Sequence, residues 1–114
     1  MAEAVAHSNY VRHSAQKVMP VLDLIRRKNA HRALVALEFL PKRSADFIAK
    51  TIASAVSNLG QQLGKKMDPK DAWVRACWVN AGPVLKRIHA GSMGRAMPYT
   101  KKTCHLTVKV ADQP

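Results

Sequence analysis

The sequence predicts a mixed fold: a helical first half, a strand-forming second half, and a long basic β-hairpin that projects from the latter. Three observations predict it. Apolar residues recur at helical spacing as far as Leu63 and at a spacing of two from Ala72 onward. Gly82-Pro83 interrupts the strand region, and Gly91 and Gly94 sit at the centre of the segment that follows. No acidic residue occurs from Ala72 to Ala111, although Lys86, Arg87, Arg95, Lys101 and Lys102 all fall there.

Elements follow in order. Residues 2–12 are polar and extended, and Ser14 is an expected N-cap for a helix from Ala15 to about Arg27. Val18, Val21, Leu22 and Ile25 give that helix one apolar stripe. Pro20 lies within it, removes one helical hydrogen bond, and is expected to kink it or delay its start. Arg26, Arg27 and Lys28 crowd its C-terminal end, where positive charge suits the macrodipole. Asn29 caps a second helix, about Ala30 to Phe39, with Ala33, Leu34 and Leu37 inward. Pro41 is expected to open a third helix. Ile48, Ile52, Ala55, Val56, Leu59 and Leu63 line one side of it, and Lys42, Arg43 and Lys50 mark a solvent or ligand face. It should end near Gly60 or Gly64, before a loop through Lys70. In the first strand, Val74, Ala76 and Trp78 alternate with Trp73, Arg75, Cys77 and Val79, and Trp78 is expected inside. In the last, Leu106, Val108 and Val110 alternate with His105, Thr107 and Lys109.

The 114 residues fit a single domain. Its body is expected over about 1–83 and 104–114, with the hairpin over about 84–103. At about 3.4 Å per residue, two ten-residue arms would reach roughly 34 Å beyond the body. The hairpin has few large apolar residues, so it cannot bury itself against a core, and an isolated ribbon is marginal in water. It is therefore expected to order fully only on a partner. The net charge of +12 would be relieved by a polyanion. Nucleic acid is the first candidate, because neutralised phosphates release condensed counterions, and an anionic membrane surface is the second.

Other functions find less support. No run of apolar residues is long enough to span a membrane, and the hairpin lacks the apolar face that interfacial insertion needs. Met1 to Tyr10 lacks the pattern of a secretory signal. Cys77 and Cys104 form neither a metal-type pair nor a disulfide framework, which fits a reducing cytosol. Cys104 and His105 are neighbours on a strand and face opposite ways, so they cannot form a nucleophile–base pair. His7, His13, His31, His89 and His105 show no zinc-hydrolase spacing and suit surface or phosphate contact. The acidic residues are too scattered for acid–base catalysis, and Gly91-Ser92-Met93-Gly94 is not a phosphate loop of the strand-to-helix kind. No enzyme activity, cofactor or metal is expected. Trp73 and Trp78 are candidate stacking platforms for bases.

Four motifs together resemble the bacterial large-ribosomal-subunit protein number twenty-two, a family universal to ribosomes. They are Ser14-Ala15-Gln16-Lys17-Val18 with Leu22-Asp23-Leu24-Ile25-Arg26; Ala53-Ser54-Ala55-Val56-Ser57-Asn58; Val79-Asn80-Ala81-Gly82-Pro83-Val84-Leu85-Lys86-Arg87; and Met93-Gly94-Arg95-Ala96 followed by Lys101-Lys102-Thr103-Cys104-His105-Leu106-Thr107-Val108. The resemblance runs from about His7 to Val110. It implies an α+β domain of three helices packed on a small antiparallel sheet, with the hairpin extended. It further implies a structural constituent of the cytoplasmic ribosome, with no membrane association and no homo-oligomer. The implied partners are 23S-type rRNA of the large subunit, neighbouring ribosomal proteins and, transiently, the nascent polypeptide. In that family the hairpin penetrates rRNA, its tip lines the peptide exit tunnel, and the protein supports subunit assembly. The corresponding tip here is Ala90, Gly91, Ser92, Met93, Gly94, Arg95 and Ala96. The rRNA-contacting residues expected on this basis are Arg12, Lys17, Arg26, Lys86, Arg87, His89, Arg95, Lys101, Lys102 and His105. An architectural DNA-binding protein with a β-ribbon arm is the alternative.

The chain departs from the family pattern at four places. Ala90-Gly91-Ser92 stands where a Pro-Arg-Ala is usual, so the tip has one cation fewer. Pro20 replaces a helix former, Leu40 precedes Pro41 where a polar cap is usual, and Cys104 replaces a Ser.

Overall fold

In a computed structural model, which describes residues 2–114, the element order is β1 (Glu3–Val11), α1 (Ala15–Ile25), α2 (Ala30–Phe39), α3 (Ala45–Leu63), β2 (Trp73–Ala81), β3 (Leu85–Ala90), β4 (Ala96–Lys101) and β5 (Cys104–Ala111). Three helices pack on an antiparallel sheet of order β1-β5-β2, and β3 and β4 pair separately as a two-stranded ribbon. The fold is α+β, as expected.

The helical stripes form as the spacing requires. Val18, Val21, Leu22 and Ile25 of α1 are buried, as are Ile48, Ile52, Ala55, Val56 and Leu59 of α3. Pro20 does not delay α1, which runs unbroken from Ala15. Ser14 stands at the N-cap position, but its side chain accepts no capping bond, and its carbonyl receives the Lys17 and Val18 amides. Asn29 does cap α2, accepting from the His31 amide at 2.9 Å. Helix α3 starts at Ala45 and not at Pro41. Ser44 occupies its N-cap position, so a polar residue is present there after all, with Asp46 in the first turn. At the other end Gly64 adopts φ +69°, a conformation that closes a helix at little steric cost only for glycine.

The largest difference from expectation lies in β2. Its register against β5 shifts between Val74 and Ala76. A bulge adds one residue and reverses which side chains face the core. Val74, Cys77 and Val79 are therefore buried, and Trp78 lies on the outer face with Lys109 Nζ 5.9 Å above its ring. Residues 2–12 also do more than extend. They form an edge strand along β5, and Ala4 and Ala6 enter the core. In central β5, Cys104, Leu106, Val108 and Val110 are fully buried.

The ribbon leaves the body where β2 ends and β5 begins. The Gly82 amide donates to the Thr103 carbonyl at 2.9 Å, and the Thr103 hydroxyl donates to the Pro83 carbonyl at 2.6 Å. A Cβ at Gly82 would lie 2.6 Å from Thr103 Oγ1, so only glycine fits this crossing without a shift. Beyond it, Leu85 pairs with Lys101 and Ala90 with Ala96. The paired arms have six residues each, so at about 3.4 Å per residue they extend roughly 20 Å, short of the full 84–103 span. The chain measures 62 × 25 × 17 Å.

Candidate nucleic-acid interface

Directly paired residues of a ribbon share a face. The register therefore places Leu85, Arg87, His89, Met97, Tyr99 and Lys101 on one face, and Lys86, Ile88, Ala90, Ala96, Pro98 and Thr100 on the other. Cations thus stand on both faces. All of β3 is exposed, and in β4 only Lys101 is half-buried. The His89 and Tyr99 rings meet edge-on at 6.4 Å. The first face therefore combines aromatic and cationic groups, while the second is smoother and more apolar. Such a ribbon makes favourable contact with a polyanion wrapped around it, because guanidinium and ammonium groups bind phosphate from either side.

At the tip, the Gly91 amide donates to the Arg95 carbonyl at 2.6 Å and closes the loop. Met93 adopts φ +56° and is 98% exposed. An apolar side chain held outward in that conformation gains nothing from its own fold. Arg95 is exposed just beyond it.

A second group of cations adjoins the root of the ribbon. Arg12, His13, Ser14, Gln16, Lys17, Pro20, Lys42, Arg43 and Ser44 line an open cleft of about 610 Å³. Lys102 borders a smaller cleft that also includes Ser14 and Gln16. A basic track therefore runs from the α2–α3 loop, past the start of α1, to the ribbon. His13 stacks on Phe47 with ring centroids 4.9 Å apart. Burial, reinforced by the Arg43 charge, holds the His13 pKa below the ordinary histidine value.

Arg12 and Lys17 share this track, and Lys86, Arg87, Lys101 and Lys102 continue it along the ribbon. Arg26 and His105 line neither of these clefts, and each is partly engaged within the protein. Arg26 pairs with Asp23, and its Nε donates to the Cys77 carbonyl at 3.2 Å. His105 Nδ1 accepts from the Tyr10 amide at 3.0 Å, and its ring packs edge-on against Tyr10, which holds φ +57°. Sequence reasoning did not place His13, Lys42 and Arg43 in the track. Lys42 and Arg43 stood out as a cationic face, but no sequence pattern shows that the α2–α3 loop returns to the start of α1. Among the described residues, no three of His, Cys, Asp and Glu converge to hold a metal ion.

The family described as Ribosomal protein L22p/L17e matches residues 6–111. The large ribosomal subunit protein uL22 of Prochlorococcus marinus (strain MIT 9301) is 48% identical over 111 residues, covering 97% of this chain and 85% of that protein. The protein of the same name from Endomicrobium trichonymphae is 46% identical over 96% of this chain and 92% of its own length. That of Pelotomaculum thermopropionicum is 40% identical over 97% and 96%. The chain therefore belongs to the ribosomal protein L22p/L17e family, and is a structural, rRNA-binding constituent of the large ribosomal subunit.

Proposed function

We propose that the chain holds the large subunit's rRNA by threading its ribbon between RNA segments, and that this clamping supports subunit assembly. Lys86, Arg87, Lys101 and Lys102 neutralise phosphates along the ribbon, and Arg12 and Lys17 extend the contact over the body. His89 contributes a further contact, as does Arg95 near the tip. Arg26 and His105 make further rRNA contacts outside this track, with the polar atoms that their bonds within the protein leave available. Phosphate contacts set position and carry little sequence information, so specificity comes from the fit of the ribbon to folded RNA shape. Residues 90–96 form part of the wall of the peptide exit tunnel and meet the nascent polypeptide transiently. Neighbouring ribosomal proteins flank the body, and the chain acts as a single copy. Domain roles divide accordingly: the body, 1–83 and 104–114, anchors the ribbon, 84–103.

One observation carries this reading. The ribbon has no core of its own, no acidic residue, and cations on both faces. Replacing Lys86, Arg87, Lys101 and Lys102 with Ala tests it. Each lost phosphate contact should reduce the slope of log K against log salt by about 0.7–0.9, or roughly three units in all. An unchanged slope would remove the ribbon from the mechanism.

A further inference from the structure

A separate cationic site lies at the opposite end of the body. β5 starts at the ribbon root, where Cys104 pairs with Ala81, and ends where Ala111 pairs with Trp73. Beside Trp73, the residues Arg27, Lys28, Asn29 and Arg32 complete a cleft of about 500 Å³. Its lining carries three cations and no carboxylate. Arg27 and Trp73 also border a second cleft of about 440 Å³, so together they form a wall between the two.

This wall is rigidly built. The Arg27 amide donates to the Val74 carbonyl at 2.9 Å, and the Val74 amide donates to the Lys28 carbonyl at 2.8 Å. Asn29 bridges Trp73, the Ala30 amide donates to the Ala72 carbonyl at 2.8 Å, and Asn29 Nδ2 donates to the Lys70 carbonyl at 2.8 Å. The connection between α1 and α2 is thereby fastened to β2. Within it, Arg27 holds φ +60°. A residue with a Cβ is strained there, and glycine is the usual occupant. Those backbone bonds hold the conformation, which sets an exposed guanidinium on the same cleft lining as the half-buried Trp73 indole, and among the described residues no ion pair or side-chain hydrogen bond engages that guanidinium. Strained residues that persist in a well-bonded frame commonly serve a site.

We propose that this cleft binds one unpaired nucleotide of an RNA strand, its base stacked on Trp73 and its phosphates held by Arg27, Arg32 and Lys28. An indole supplies a platform for any base, and neighbouring guanidinium groups supply both phosphate contacts and stacking. The proposal rests on the rRNA-binding reading and adds a second grip, separated from the ribbon by the length of the sheet.

The test uses the full chain carrying Trp78→Phe, which leaves Trp73 as the sole tryptophan. Fluorescence is titrated with a six-nucleotide oligo(A) RNA. Quenching is expected, and Arg27→Gly should weaken the affinity it reports by about tenfold or more, since hydrogen bonds to charged groups are the strong ones. The same variant should melt no lower than its parent, because glycine relieves the backbone at that position. Arg32→Gln should also weaken the quenching titration. Binding of oligo(A) without quenching would overturn the pocket while leaving the ribbon's RNA role intact. Quenching insensitive to Arg27→Gly would overturn it too, as would equal quenching by a poly-glutamate peptide of matched charge, which would mark a site for acidic polypeptide. Failure of the ribbon reading appears separately, in the salt slope of the four-alanine variant.

Discussion

At the scale of single residues, the buried groups and the basic track respond to different probes. Desolvation raises the pKa of both thiols. At Cys77 it outweighs the nearby Arg26 charge and hydrogen bond, and at Cys104 it outweighs a hydrogen bond from the His13 backbone. Neither thiol should react with iodoacetamide in the native chain, and both should react once it unfolds; rapid native labelling would contradict their burial. His13 behaves in the opposite sense to a histidine with an acidic partner. Its folded pKa lies below its unfolded value, so the unfolded chain binds the proton more readily. Its stabilising contribution is present above the unfolded pKa and is lost as pH falls through the unfolded value toward the folded one. An NMR titration of the free chain should find His13 below the ordinary value of 6.5. A phosphate seated in the cleft should raise it. A higher value without RNA would mean that His13 is not held desolvated beside Arg43. In the core, Ile52 is fully buried under the sheet, and Ile52→Ala should cost about 2–5 kcal/mol in denaturant unfolding.

At the scale of elements, periodicity was informative wherever it ran uninterrupted. The stripes of α1 and α3 and the alternation of β5 were legible because each contains its own repeat. β2 was legible as a strand but not in its facing, since a single added residue near Arg75 reverses every side chain after it. That is why Trp78, expected inside, lies outside. β1 was hidden because its fully buried residues are only Ala4 and Ala6, too small to stand out as a hydrophobic alternation. The start of α3 was misplaced because a proline can precede a helix as well as open it. The ribbon was legible from its lack of acidic residues and its glycine-marked centre, whereas its large apolar residues were more numerous than expected: Leu85, Ile88, Met93, Met97 and Tyr99 all lie exposed on it. Its root was not legible, since the crossing of Gly82 over Thr103 depends on strands distant in sequence. Gly82→Ala should therefore destabilise the body by about 1–3 kcal/mol through steric overlap with Thr103 and loosen the ribbon's attachment, measurable as faster amide exchange at Thr103 and His105. An unchanged stability would show that the crossing has slack.

At the scale of the whole molecule, shape and charge point the same way. A compact chain of this length has a radius of gyration of about 13 Å, whereas this one has 17.1 Å. The excess comes from a ribbon that shares no sheet with the body and buries almost nothing of itself. A net charge of +12 opposes compaction further. Both costs are offset if the ribbon and the basic track at its root are enclosed by RNA, which replaces water around the arms and neutralises the cations. The helices and the three-stranded sheet need no such help, since Leu22, Ile48, Leu59 and Leu106 are fully buried within the chain itself. Stability should thus be uneven along the molecule. The most direct test is amide hydrogen exchange over Leu85–Lys101, followed in the free chain and in the assembled large subunit, with α3 as the internal standard. The ribbon should exchange rapidly when free and become strongly protected in the subunit, while α3 is protected in both; equal exchange of the ribbon in the two states would contradict the account.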